Sequence, residues 1–146
     1  MLTFTLPAEL RGLAFANQQF VYDQLLRCSW DTVRQFAETD PKLHGMPGAI
    51  SVLHTHTRRL DYHPHVHLVM PAAALNAEQQ VWRSKTSATD KVSYLFNHKA
   101  LAKVFRAQLN LAGIVQKRGE STEIAAWASA MPPIAAGARR KSAHSA

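Results

Sequence analysis

Residues 48–71 read GAISVLHTHTRRLDYHPHVHLVMP, and the fold turns on how this stretch alternates. Residues 49–57 (AISVLHTHT) are β-branched and apolar, and residues 63–70 (HPHVHLVM) alternate imidazole with aliphatic side chains. Both runs read as strands. The short polar connection over 58–62 pairs them as an antiparallel hairpin. Pro64 has no N–H to give a central ladder, which places it at the strand's beginning. Side chains at i and i+2 of a strand point the same way. His63, His65 and His67 therefore share a face, while Val66, Leu68 and Met70 take the other.

That arrangement suits a metal ion. Same-face neighbours lie roughly 6.5–7 Å apart along a strand, and two imidazoles can converge from there on one ion about 2.0–2.1 Å from each nitrogen. A rigid strand holds them without a loop's ordering cost. On the preceding strand His54 and His56 share one face, and the hairpin register decides whether His54 or His56 supplies a third ligand. Five of the eight histidines lie within residues 54–67. A lone histidine would be read as a surface residue of a sheet; five so close together favour a ligand cluster. Imidazole-rich sites suit Zn, Cu, Fe or Ni.

Working outward, residues 2–6 (LTFTL) alternate and form a short strand closed by Pro7. Residues 8–38 contain one breaker, Gly12, and repeat apolar side chains at helical spacing. They predict one long helix or two joined helices with a stripe facing a sheet. Asp40-Pro41 stops the helix and residues 45–48 (GMPG) form a loop. Val81-Trp82 marks a further short strand. Residues 99–111 (KALAKVFRAQLNL) form a helix with Leu101, Val104, Phe105 and Leu109 on one face and Lys99, Lys103 and Arg106 on another. Residues 1–111 are expected to form one domain. Residues 112–146, rich in Ala and Pro and ending in a basic run, are expected to be a poorly ordered, unrelated tail.

Composition narrows the classes of function. A chain of 146 residues with 47% apolar and 18% charged residues is one ordinary globular domain. One cysteine, Cys28, excludes an internal disulfide framework and a multi-cysteine metal site. It fits a reducing, cytoplasmic setting. No run of apolar residues is long enough to span a membrane, and no signal peptide is read at the start. The net charge of +7 is uneven: residues 1–73 carry six Lys/Arg and six Asp/Glu, so the second half supplies the whole excess. Such a basic half suggests a polyanion partner such as nucleic acid.

The quoted stretch also resembles the two-tyrosine HUH transposases of rolling-circle insertion elements, in which two histidines flank a bulky hydrophobic residue. Here these are His65-Val66-His67. The likeness extends to TFTLPAELRGLA over 3–14, to VLHT before the histidine strand and to KALAKVFRAQL after it. It covers roughly residues 1–111. The resemblance implies an α+β fold: an antiparallel sheet flanked by helices, with the histidine pair on a central strand. It also implies Mg²⁺ or Mn²⁺ held by His65, His67 and one further residue, for which His54 is the candidate, with His56 and His63 left open. The implied partner is single-stranded DNA of a transposon end, cut by a tyrosine that becomes a 5′-phosphotyrosine.

The family's nucleophiles are a tyrosine pair one helical turn apart, after the histidine hairpin. This sequence has Tyr22, Tyr62 and Tyr94, no two of them a turn apart and none after Tyr94. Tyr94 reads as a core aromatic. The expectation is therefore an incomplete HUH-like domain, a fragment inactive alone, with no catalytic residue assigned. Arg58 and Arg59 in the hairpin connection, and Lys99, Lys103 and Arg106 on one helix stripe, are candidates to grip phosphates. Trp82, flanked by Arg83 and Lys85, is a candidate to stack a base, although a core tryptophan is the simpler reading. Two other classes compete. A zinc-dependent hydrolase would need a carboxylate base, and Asp61 is the sole acid in residues 41–77. A non-enzymatic nucleic-acid-binding module would leave the histidines without metal. Self-association stays open, because a partial domain exposes sheet edges.

Overall fold

The computed structural model describes residues 1–85 and 95–113. Strand β1 (Leu2–Thr5) leads through a 3₁₀ turn (Ala8–Leu10) into α1 (Arg11–Ala16) and α2 (Gln18–Thr39). Then come β2 (Met46–Pro47), β3 (Ile50–His56), β4 (Tyr62–Val69), β5 (Ala73–Asn76), β6 (Val81–Ser84) and α3 (His98–Leu111). Two antiparallel three-stranded sheets result, ordered β1-β4-β3 and β2-β5-β6. The fold is α+β, as expected, and β4 is the central strand of the larger sheet.

Period-two alternation sorts that sheet into an apolar and a polar face. Phe4 lies opposite Val66, and both are buried together with Leu68. They pack under α2 and α3, whose stripes contribute Val21, Leu25, Val33, Leu101, Phe105 and Leu109. Phe4 and Phe105 meet with ring centroids 4.8 Å apart, a tilted aromatic pair within the favourable range. Cys28 lies in this core, where burial first, and then the charge of Asp31, pushes its thiol up to about 11. Ser29 and Thr32 are also buried, and their hydroxyls donate to the carbonyls of Leu25 and Cys28 at 2.7 Å each.

The two-helix alternative holds, but the break falls at Asn17 and not at Gly12. Asn17 leaves helical geometry (φ −135°, ψ 50°), and its amide donates to Leu13 O at 3.2 Å. α2 ends at Asp40, which the following proline keeps extended. The Asn97 side chain caps α3 by accepting from the N–H groups of Lys99 and Ala100.

Pro64 is the third residue of β4. Leu6 N–H donates to Pro64 O at 3.0 Å; the reciprocal bond is the one proline cannot make, and the β1 ladder ends there. Two strands escaped the sequence reading, β2 and β5, which with β6 build the smaller sheet. Gly45 is needed for it: a Cβ there would meet Leu75 O at 2.4 Å. Trp82 is not a core residue. It is 64% exposed, because β6 is an edge strand and Trp82 shares an outward face with Leu75 and Met46. Of the expected tail over 112–146, residues 114–146 lie outside the described residues, as does Tyr94.

Candidate metal centre

The β3–β4 register sets His54 opposite His65 and Val52 opposite His67. His54, His65 and His67 thus leave the polar face of the sheet together. Their ring centroids lie 5.2 Å (54–65), 4.6 Å (54–67) and 4.9 Å (65–67) apart. One nitrogen from each falls within 4.8 Å of the others. An ion roughly 2.0–2.1 Å from each nitrogen would set them roughly 3.4 Å apart in a tetrahedral site, so the rings would have to draw together to close on it.

Hydrogen bonds at the far side of two rings orient them. His65 Nδ1 lies 2.7 Å from the carbonyl oxygen of His63, an acceptor only, so Nδ1–H donates and Nε2 carries the lone pair. His67 Nδ1 lies 3.0 Å from Thr3 Oγ1, across the β1–β4 pair. Metal-bound histidines are usually held by such outer partners. Three imidazoles form a donor set that suits Zn²⁺ and the later first-row ions better than the oxygen-seeking Mg²⁺ and Mn²⁺.

His56 does not join them. A register shift between His54 and His56 pairs His56 with Tyr62, and the two rings meet at 5.8 Å. The bulge re-aims the side chain. His63 stands at the other end of the row, its ring 5.5 Å from His65, and accepts from Arg11 Nη2 at 2.5 Å. Burial, then Arg11 and His65, holds His63 below its ordinary range against an upward pull from Asp61.

The polar face is an open surface among the described residues, not a walled cleft: Ile50, Val52 and Val69, on the same face, are 69%, 45% and 50% exposed. Tyr62 points the other way, into the helix layer. Its hydroxyl is hydrogen-bonded to that of Tyr22 at 2.9 Å. Burial, with that bond and the Tyr22 charge, raises its pKa well above the ordinary tyrosine range, the opposite of what a nucleophile needs.

The basic candidates fall on separate surfaces. Arg58 and Arg59 are exposed at the hairpin tip, in a turn closed by Leu60 N–H to Thr57 O at 3.0 Å. Lys99, Lys103 and Arg106 line a shallow groove with Ala107 and Asn110. That groove is on α3, in the layer behind the sheet, so DNA touching it and the imidazoles would have to round a sheet edge. Lys85 is engaged by Asp40 and Leu95 O, and Arg83 by Gln79; Trp82 itself is open. Sequence reasoning missed Arg11 and Thr3. Parity put Thr3 opposite Phe4's face, but nothing in the sequence names the neighbouring strand.

Comparison with known proteins points to a transposase family. Residues 48–132 match the family Y2_Tnp, described as "Putative transposase". The chain is 30% identical over 105 residues to the putative transposase y4qJ of Sinorhizobium fredii, covering 72% of this chain and 25% of that protein. It is 42% identical over 83 residues to the transposase for insertion sequence element IS801 of Pseudomonas savastanoi pv. phaseolicola, covering 57% of this chain and 19% of that protein. The chain therefore spans a quarter or less of the curated relatives it matches. No solved structure matches it.

Proposed function

This chain belongs to the Y2_Tnp family of putative transposases, and from that premise we propose that it is the HUH-type, DNA-holding part of a transposase. It binds single-stranded DNA of a transposon end and holds a divalent ion on His54, His65 and His67. The convergence of those three imidazoles carries the reading. Mn²⁺ or Mg²⁺ follows from the family likeness, while the three-imidazole donor set by itself suits Zn²⁺, so these are the ions to compare. When bound, the ion supplies Lewis-acid polarisation of a phosphodiester and a template for its orientation. His63 O and Thr3 Oγ1 fix the ring orientations, and the open sheet face lets a flexible strand approach. Trp82 offers a surface for an unpaired base.

Strand cleavage needs a nucleophile that the chain's described tyrosines do not provide, since the Tyr22 and Tyr62 hydroxyls are engaged with one another. No covalent link to DNA is expected from the described tyrosines. A hydrolase reading is disfavoured because it needs a carboxylate base, and Asp61, the sole acid in residues 41–77, accepts from Thr57 in the hairpin turn. Calorimetric titration with Mn²⁺ and Zn²⁺ tests the proposal, comparing the natural chain with His65→Ala, His67→Ala. Loss of uptake, with Mn²⁺-strengthened binding of a fluorescent single strand in the natural chain, is the expected result. Unchanged uptake in the double variant overturns it, and a covalent adduct on a denaturing gel overturns the inactivity.

A further inference from the structure

Arg11, the first residue of α1, sends its guanidinium to β4, where Nη2 stands 2.5 Å from His63 Nδ1. This puts a cation at the end of the imidazole row, since His63 is 5.5 Å from His65 and His65 is 4.9 Å from His67 by ring centroids. Arg11 is half-buried, and its Nε is buried with no hydrogen bond among the described residues. Ion pairs among those residues join Arg34 to Asp31 and Glu38, and Lys85 to Asp40; none involves Arg11. Asp61, the acid of the hairpin, accepts from Thr57. His63 gives Arg11 a lone pair but no negative charge. A guanidinium drawn out of water is ordinarily matched by an anion, and its planar fork fits phosphate oxygens.

We propose that Arg11 binds a backbone phosphate of single-stranded DNA beside the three imidazoles, and that His63 is the positioning residue that aims it. The inference rests on the reading of the chain as a single-strand-binding transposase domain, and it adds a strand-gripping cation at the end of the imidazole row.

The test uses the full chain in EDTA, so that no ion contributes, with a fluorescent single-stranded oligodeoxynucleotide titrated across a range of NaCl. Arg11→Gln should lower the slope of log K against log salt by about 0.7, the share of one phosphate contact, with an unchanged melting temperature. Arg11→Lys keeps the charge and should hold the slope while weakening affinity several-fold, because the paired bonds of the fork are lost; it serves also if the Gln variant fails to fold. His63→Leu should weaken affinity and His63→Gln, which keeps an acceptor, should restore it. Natural affinity and slope in both Arg11 variants overturn the inference while leaving the metal reading intact. A natural chain with no affinity for the single strand overturns both.

Discussion

Thr3 Oγ1 stands 3.0 Å from Nδ1 of His67, bridging residues 64 positions apart in the chain. Through this contact β1, which contributes no candidate ligand, orients one. Thr3→Val keeps the shape and removes the hydroxyl, so Mn²⁺ affinity should fall about 10-fold, as for other outer partners of metal ligands. Competition titration against a fluorescent chelator measures it. Natural affinity in the variant would mean the hydroxyl is incidental.

The bulge beside His54 makes a sharper distinction between two similar histidines. His54→Ala should weaken Mn²⁺ binding by roughly 10-fold or more, whereas His56→Ala, paired with Tyr62 instead, should stay within about twofold. Equal losses in the two variants would show that the bulge does not separate them.

Trp82 is exposed on an edge strand, so removing it should cost DNA binding and not stability. Trp82→Ala is expected to weaken single-strand affinity by about 1–3 kcal/mol at an unchanged melting temperature. Fluorescence quenching of Trp82 on adding the oligonucleotide, absent in the variant, is the companion measurement.

The Asp40–Lys85 ion pair ties the end of α2 to the residue after β6. Burial alone would raise Asp40, but the hydrogen bond from Lys85 and the N–H groups of Lys42 and Leu43 outweigh it and hold the carboxyl below its ordinary value. A depressed folded value means that the stabilisation is complete above the unfolded pKa near 4 and is lost as pH falls through the folded one. Asp40→Asn should therefore lower stability by about 1–3 kcal/mol at neutral pH. The difference from the natural chain should shrink in acid. Urea denaturation at neutral and acid pH reads both effects.

Much of the larger sheet was legible because alternation is local. Leu2, Phe4, Val66 and Leu68 announce an apolar face, and His65 and His67 its opposite. The third imidazole was not, because it depends on register, and register here depends on a bulge with no signature in HTHT. The smaller sheet stayed hidden for a related reason: β2 is two residues long, and Ala73–Asn76 has too little β-branching to stand out. Trp82 was misplaced since an aromatic beside Val81 gives no sign of which sheet face it occupies. Arg11 carries no signal of its own in the sequence; only the return of α1 across β4 sets it against His63.

Strand β4 serves two masters, with Val66 and Leu68 turned to the helices and His65 and His67 to the open side. Deleting or inserting a single codon between Tyr62 and His65 would exchange the two sets, driving rings into the hydrocarbon layer and aliphatics into water. The segment should thus accept many point replacements yet refuse any change in its length, and a lineage that keeps that length keeps core and site in one stroke.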